Sequence, residues 1–282
     1  MMIESIVNEV KLEDKDFRRI SDMIYRHCGI NLHSGKKELV RARLAKRLRL
    51  LSIKTFPEYI DHALNDSSGT EFTALVDSLS TNLTSFFREN QHFEYLRNSF
   101  LPRVTAEKAK TSDRLIRGWS AGCSSGEEPY SIAITLLESI KLNRNISAKI
   151  LATDISTQIL ARAKAGVYDL QRVAPVPRDL KNRYLVCEKI NKTKVFKAGK
   201  SLKDIIYFAH LNLMDEWPIK VPLDFIFCRN VMIYFDKPTQ ERLVNRFWHI
   251  LNPGGLLFTG HSESLTGINH KFRYVQPTIY IK

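Results

Sequence analysis

Little in this chain could staple a fold or anchor it in a bilayer. Its four cysteines, Cys28, Cys123, Cys187 and Cys228, lie far apart and form no C-x-x-C pair. That leaves no disulfide framework, zinc knuckle or redox dithiol. Apolar runs are short and interrupted, so no transmembrane helix is expected. The first 17 residues are polar and acidic with no apolar centre, unlike a signal peptide. Internal repeats and low-complexity tracts are absent too. A cytoplasmic protein with reduced thiols is the expectation. Acidic residues are the other shortage: 30 Asp and Glu face 43 Lys and Arg, a net charge of +13. An excess of that size points to an acidic partner, whether nucleic acid, membrane surface or protein. The 282 residues, 44% of them hydrophobic, exclude a disordered chain and suffice for two domains or one large one.

Periodicity divides the chain near residue 100. Helical spacing covers Asp14–Cys28, Lys36–Leu51, Thr55–Asn65, Thr70–Ser80 and Gln91–Phe100, and Val40, Leu44, Leu48 and Leu51 form one apolar stripe. No strand pattern precedes Leu115. Beyond it, Leu115–Ser120, Lys149–Asp154, Ile205–His210, Leu223–Cys228 and Leu256–Gly260 are short β-rich segments. Helical patterns at Glu127–Ile140, Ser156–Ala165 and Pro238–Leu251 separate most of them. Strands alternating with helices predict βαβ units and a parallel sheet, an α/β fold. Phe272–Ile281 reads as a closing antiparallel strand. Tyr168–Gly199 fits neither pattern. It carries Pro175, Pro177, many charges and only short extended pieces, as at Lys194–Lys197, and reads as an insertion in the sheet domain.

The positive surplus is concentrated. Between Lys36 and Lys54 lie eight basic residues, Lys36, Lys37, Arg41, Arg43, Lys46, Arg47, Arg49 and Lys54, against Glu38 alone. A solvated helix face can carry such a run, but a net +7 in 19 residues is more than a generic surface needs. Lys37, Arg41, Arg43, Lys46 and Arg47 are the candidate contacts for an anionic partner, held with strong salt dependence. The segment is expected to lie away from the glycine turn considered next.

The stretch Arg117-Gly-Trp-Ser-Ala-Gly-Cys-Ser-Ser-Gly-Glu-Glu-Pro-Tyr130 runs from a strand through a Gly/Ser turn into a helix. Gly118, Gly122 and Gly126 are spaced four apart, which is neither G-x-G-x-x-G nor a P-loop. The turn still stands at the carboxyl end of the first strand, where α/β sheets bind ligands, and small residues admit a ligand close to the backbone. Glu127 and Glu128 open the helix. They suit its dipole, disfavour a phosphate and favour a ligand with a cationic group. Asp154 ends the second strand, where its carboxylate can accept from ribose hydroxyls or cap the next helix. A ribose, a cation and no phosphate describe S-adenosylmethionine.

Four segments carry a family resemblance: Thr81-Asn-Leu-Thr-Ser-Phe-Phe-Arg88, Trp119-Ser-Ala-Gly-Cys-Ser-Ser-Gly-Glu-Glu-Pro-Tyr-Ser-Ile-Ala133, Phe227-Cys-Arg-Asn-Val-Met-Ile-Tyr-Phe235 and Gly260-His-Ser-Glu-Ser264. Together, in a stretch from about Phe17 to about Tyr280, they resemble the CheR family of chemotaxis-receptor protein-glutamate O-methyltransferases. The resemblance implies a Rossmann-like, S-adenosylmethionine-dependent methyltransferase domain of α/β class over residues 86–282. It also implies a small all-α receptor-docking domain over residues 1–85 and an antiparallel β-subdomain inserted at 168–204. Carried across residue by residue, Asn82, Thr84 and Arg88 match the N-x-T-x-F-F-R segment that links the domains and contacts the cofactor. Gly122 falls in the cofactor turn. One of Glu127 and Glu128, with Glu128 favoured, would hold the methionine ammonium. Asp154 matches the ribose or adenosine contact, Asn212 and Leu213 flank the adenine, and Arg229 and Asn230 match the end of the fourth strand. Tyr234 falls near the path of methyl transfer.

The implied reaction needs little acid–base chemistry. A glutamate carboxylate, with an ordinary pKa of about 4.3, is already ionised near neutrality and attacks the sulfonium methyl in line. Arg88 would orient it through a guanidinium fork, or else anchor the linker, and Tyr234 would hydrogen-bond it or close the site. No metal is required: His210 and His261 stand at strand ends without metal-ligand spacing, and Cys123 and Cys228 read as small buried residues. The expected partners are cytoplasmic signalling helices of chemotaxis receptors, with no nucleic acid, no membrane insertion and a monomeric enzyme. The product S-adenosylhomocysteine is expected in the same site. A nucleic-acid methyltransferase is disfavoured, since no N-P-P-Y or Pro-Cys motif and no aromatic-lined basic run is present. A catalytically idle cofactor sensor is disfavoured by the intact Asn82, Arg88, Asp154, Asn230 and Tyr234. The loop Lys189–Lys194 lacks the glycine associated with family members that dock a receptor-tail peptide.

Overall fold

The computed structural model describes residues 10–80, 82–141, 143, 145–190 and 192–282. Most of the N-terminal segment compared above with a signal peptide lies outside them, as do residue 81 and residue 191 of the Lys189–Lys194 loop. Four helices come first: α1 Asp14–Cys28, α2 Lys37–Leu51, α3 Phe56–Asn65 and α4 Thr70–Leu79. A 3-10 turn, Ser34–Lys36, precedes α2, so the helix begins one residue later than its pattern. Thr55 is the N-cap of α3 rather than its first residue, accepting from the Glu58 N–H with Pro57 in the first turn. Val40, Leu44 and Leu48 are buried among Phe17, Ile20, Ile24, Tyr59 and Leu75, while Leu51 sits at the margin of that core.

An irregular linker leads to α5 Gln91–Tyr95, which passes through a π-turn, Leu96–Phe100, into α6 Leu101–Ala109. The helical pattern alone stopped at Phe100. Pro102 follows, in the first turn of α6 just after the π-turn.

The sheet contains β1 Leu115–Ala121, β2 Ser147–Asp154, β6 Ile206–His210, β7 Leu223–Cys228, β8 Leu251–Thr259, β9 Arg273–Gln276 and β10 Ile279–Ile281, in the order β6-β2-β1-β7-β8-β10-β9. The first five are parallel where they pair, and β10 runs antiparallel to β8 and β9. The closing strand expected at Phe272–Ile281 is therefore a hairpin. Pro277 and Thr278 break it, the latter at φ 62°. Asn252 to Gly255 loop out within β8, since Leu251 pairs with Leu223 and Leu256 with Phe225. Helices α7 Glu127–Ile140, α8 Thr157–Ala165 and α11 Lys237–Ile250 make the crossovers. Successive strands go from β1 out to β2 and β6, then return to β7 and β8. The reversal lies between β1 and β7, and the carboxyl ends there form the crevice in which such sheets bind ligands.

Residues 167–203 hold a second sheet, β3 Val167–Asp169, β5 Thr193–Ala198 and β4 Leu185–Ile190, antiparallel in that order, with α9 Arg178–Tyr184 and the short α10 Lys200–Lys203. It docks on α7 through charge. Arg172 meets the fully buried Glu127 at 2.5 Å, and Arg183 and Tyr184 both donate to Glu138, at 2.5 and 2.7 Å. Among the described residues no helix is long and apolar enough to cross a membrane.

Burial alone would raise the Glu138 pKa, but hydrogen bonds from Arg183, Tyr184 and Lys141 outweigh it and hold it near about 2. A carboxylate depressed in the folded state stabilises it above its unfolded pKa and loses that contribution as pH falls through the folded value. Docking of the inserted sheet should therefore weaken between pH ~4.5 and ~2. Glu138→Gln should flatten the stability–pH profile in that window, read by urea unfolding at a series of pH values. A profile unchanged by the substitution would remove Glu138 from the coupling.

Candidate active site

One cavity opens where the helical domain, the linker and the strand ends meet. The strand ends supply Gly122 and Ser124 after β1, Asp154 at the end of β2, Leu211, Asn212 and Leu213 after β6, and Arg229, Asn230 and Tyr234 after β7. The linker supplies Asn82, Thr84 and Arg88, and α7 supplies Glu128. The expected cofactor residues thus line a single space, although they come from six parts of the chain. Lys36, Leu39, Val40 and Arg43 line it as well. That corrects one expectation: the basic segment is not remote from the glycine turn. Its helix forms part of the wall.

The glycine turn is shaped by contact. Gly122 adopts φ 92°, and a Cβ there would come within 2.4 Å of Val231 Cγ2. Glycine therefore lets the β1 and β7 turns close on one another beneath the cavity. The Gly122 and Cys123 N–H groups both donate to Thr153 O, and the Ser124 N–H donates to Asp154 at 2.8 Å. The other Asp154 oxygen accepts from the Ser156 N–H at 2.9 Å. Asp154 thus binds two turns together and faces the cavity at the same time. Its pKa is raised by burial, opposed by those backbone N–H groups. The Ser124 hydroxyl donates to Asn82 O, tying the linker to the turn.

Glu127 and Glu128 part company. Glu127 points to Ser125 and Arg172 of the insertion. Glu128 lines the cavity, where its Oε1 accepts from Ser120 at 2.7 Å and its Oε2 lies 3.6 Å from Arg229 Nη1. Burial raises the Glu128 pKa, and the Arg229 charge and the Ser120 hydroxyl pull against it.

Arg229 is buried between two carboxylates. Its Nη2 lies 3.4 Å from Glu89 and also donates to Arg88 O, and its guanidinium faces the rings of Phe93 and Phe227. Arg88 donates to Leu83 O at 2.8 Å while lining the cavity, so it anchors the linker and still presents donors. Four non-glycine residues in left-handed backbone surround this region: Phe87 and Glu89 on either side of Arg88, Ser124 after β1 and Asn230 after β7. Such conformations cost about 1–3 kcal/mol each and persist where surrounding contacts impose them. Here Ser131 Oγ accepts from the Phe87 N–H, and Glu263 accepts from the Asn230 N–H at 2.8 Å.

The helical domain is pinned around the opening. The Asn31 N–H donates to Tyr234 O at 2.7 Å, and Lys36 Nζ stands 5.3 Å from the centre of the Tyr234 ring. Asn212 Nδ2 donates to His27 O at 2.7 Å and its Oδ1 accepts from Met214. The side chain expected beside an adenine is therefore committed to joining the domains. Cys123 and Cys228 are buried, and burial raises both thiols well above their usual pKa, so neither supplies a thiolate.

His210 Nε2–H donates to Ile155 O at 3.0 Å and is exposed. His261 instead stands by Glu89 and His92, with side-chain atoms within 4.8 Å of one another. Spacing could not show this, because the two histidines come from distant segments. The cation that Glu89 faces there is the Arg229 guanidinium. Glu89, His92 and Glu263 were not singled out from sequence. Glu263 lies within the quoted Gly260–Ser264 segment, and Glu89 and His92 directly follow the Thr81–Arg88 segment.

Residues 82–281 match the family described as CheR methyltransferase, SAM binding domain, and residues 15–80 match its all-alpha domain. The chain belongs to the CheR methyltransferase family. A chemotaxis protein methyltransferase of Borreliella burgdorferi is 42% identical over 275 residues, covering 97% of this chain and 96% of that protein. Chemotaxis protein methyltransferase 2 of Pseudomonas aeruginosa is 42% identical over 94% of this chain and 92% of its own length. The Escherichia coli chemotaxis protein methyltransferase is 36% identical over 99% and 94%. The protein is thus an S-adenosylmethionine-dependent methyltransferase of the chemotaxis type. Its cavity suits that cofactor: carboxylates stand at the glycine turn where a phosphate would be repelled, and the turn lacks a Cβ where a ligand approaches.

The basic residues of α2 divide by partner. Lys37 pairs with Asp14 and Arg41 with Glu38, both exposed acids. Arg43 donates to Leu79 O and Ser80 O at the end of α4. Arg47 makes a two-pronged pair with the buried Glu71, at 2.8 and 2.5 Å. Lys46 is exposed. Arg47→Ala should therefore lower the stability of the helical domain by roughly 2–3 kcal/mol, somewhat less than a fully buried pair. Lys46→Ala should leave the urea midpoint unchanged. Equal midpoints for both variants would deny Arg47 its bracing role.

Proposed function

We propose that this enzyme methylates glutamate side chains on the cytoplasmic signalling helices of chemotaxis receptors, giving methyl esters. The observation that carries the reading is the two-sided charge of the cavity. The helical domain and linker bring Lys36, Arg43 and Arg88 to it, and the strand-end region brings Glu128 and Asp154. An anionic acceptor suits the first side and a cationic, ribose-bearing cofactor the second.

When bound, S-adenosylmethionine supplies a methyl group on a sulfonium centre. Glu128 would hold its ammonium, Asp154 its ribose hydroxyls, and Leu213 with the backbone of Asn212 would flank the adenine. Asn82, Thr84, Asn230 and the Gly122 turn would complete the cradle. The acceptor carboxylate needs no base, so the protein's work is to orient it and exclude water. Arg88 would direct it through the donors left after its bond to Leu83 O. Tyr234, beneath Lys36, would close the opening. Lys37, Arg41 and Lys46 on α2 form the outer docking face. Arg43, at the cavity edge, would receive the acceptor helix, while Arg47 supports the face from beneath. The enzyme would work as a monomer in the cytoplasm, where the receptor helices lie.

Labelled methyl should pass from S-adenosylmethionine to a receptor cytoplasmic fragment and come off in mild base. Label found only on nucleic acid, or nowhere, would sink the reading. Arg88→Ala should lower kcat about 100-fold, in line with the cost of a misoriented reactant, while changing cofactor affinity less than about threefold. Glu128→Gln should instead weaken cofactor binding about tenfold or more, the loss of a charge-assisted contact. Calorimetry and turnover, measured separately, distinguish the two.

A further inference from the structure

We infer that Glu89 is a positioning residue that adds negative charge behind the cofactor site, so that it raises the affinity for the sulfonium substrate relative to the uncharged thioether product. The inference rests on the assignment of Glu128 to the cofactor ammonium.

Glu89 does not line the cavity, yet its carboxylate is buried behind it with 8% of the side chain exposed. One oxygen accepts from the His261 N–H at 3.3 Å. The other has no hydrogen-bond partner and lies 3.4 Å from Arg229 Nη2 and 3.6 Å from His92 Nδ1. His92 cannot answer it with a proton. Its Nε2 bonds Thr278 Oγ1 at 2.7 Å, and that hydroxyl donates to Pro277 O at 2.6 Å, so Thr278 must accept from Nε2–H. Nδ1 is then a bare lone pair. Burial, Arg229 and His261 push the His92 pKa down to about 3, which keeps it neutral. His261 Nε2 lies farther from the same Glu89 oxygen, at 3.9 Å. The permanent cation that the Glu89 carboxylate faces among the described residues is therefore Arg229, and Arg229 faces Glu128 on its other side at 3.6 Å.

This row of three, Glu89, Arg229 and Glu128, carries a formal charge of −1. Without Glu89, the guanidinium would cancel Glu128 and the row would be neutral. Nearby Glu263 is met by the N–H groups of Asn230, Ile233 and Gly260; it is the same in wild type and in the Glu89 variants, so it does not alter the difference that Glu89 makes. S-adenosylmethionine bears +1 overall, from ammonium, sulfonium and carboxylate. S-adenosylhomocysteine, having lost the sulfonium charge, bears none. The charge that Glu89 adds to this row thus strengthens attraction for the substrate more than for the product. Acting over roughly 10 Å at an effective dielectric of about 20, one charge changes such a ratio about tenfold.

The test is calorimetric titration of Glu89→Gln with S-adenosylmethionine, S-adenosylhomocysteine and sinefungin, whose amine carries positive charge in place of the sulfonium. The two cationic ligands should weaken about tenfold more than S-adenosylhomocysteine. Equal weakening of all three would make Glu89 a packing residue and overturn the inference. Glu89→Asp, which keeps the charge, should keep the wild-type ratio. A ratio that falls in Glu89→Asp would overturn it too, whether or not the glutamine variant folds. Glu128→Gln separates the two assignments. If it leaves all three ligands unaffected, the cofactor assignment itself fails. If it weakens all three while Glu89→Gln shows no charge preference, only the role of Glu89 fails.

Discussion

A buried guanidinium is costly unless carboxylates and carbonyls surround it, and Arg229 occupies the point where that requirement joins the molecule together. It stands at the end of β7, beside the switch in strand order. Glu89 and the Arg88 carbonyl reach it from the linker, and Glu128 from the first turn of α7. Satisfying one cation therefore fixes the linker against two strand-end turns. The left-handed residues on either side of Arg88 follow from this. The linker must deliver a carbonyl and a carboxylate inward while Arg88 lines the cavity, and a regular extended or helical chain would not send consecutive groups in those directions.

The same economy governs the helical domain. A run of eight basic residues looks from composition like one electrostatic surface. Folded, it serves several ends. Lys36 and Arg43 reach the cavity, Arg43 also secures the end of α4 just before the linker, and Arg47 neutralises Glu71 inside the domain. Lys37, Arg41 and Lys46 remain towards solvent, two of them beside exposed acids that a competing anion can displace. The solvent side of α2 and its cavity wall are thus two faces of one helix.

Much of this was legible in the sequence because it depends on local rules. Strand–helix alternation placed β1, β2, β6 and β7 almost to the residue, and the carboxyl-end rule then located the crevice before any contact was known. Other features are set by distant contacts and leave no local trace. Glu127 and Glu128 are adjacent acids at one helix start, and sequence chemistry treats them alike. Neighbouring helical residues point about 100° apart, which sends one to Arg172 of the insertion and the other to Ser120 and Arg229. Asn212 lines the cavity, and nothing local shows that its amide also joins the domains through His27 O. The cluster of Glu89, His92 and His261 unites residues about 170 positions apart, and only the pairing of strand ends brings them together.

The charges also explain why so reactive a cavity can lack a prepared base or nucleophile. Its two thiols are buried and protonated, and its two carboxylates are tied to backbone N–H groups, a serine and an arginine. On the proposed transfer to a carboxylate, a dry site already favours the product side, since both charges would vanish as an ester and a thioether form. What such a site must supply is a means of holding each charge apart until it is aligned. On that proposal, cations from the helical domain on one side and carboxylates from the strand-end region on the other would do this with fixed groups. The catalytic contribution then comes from where the domains are held, and the interdomain bonds at Tyr234, Asn212 and Ser124 belong to the site as much as the residues that line it.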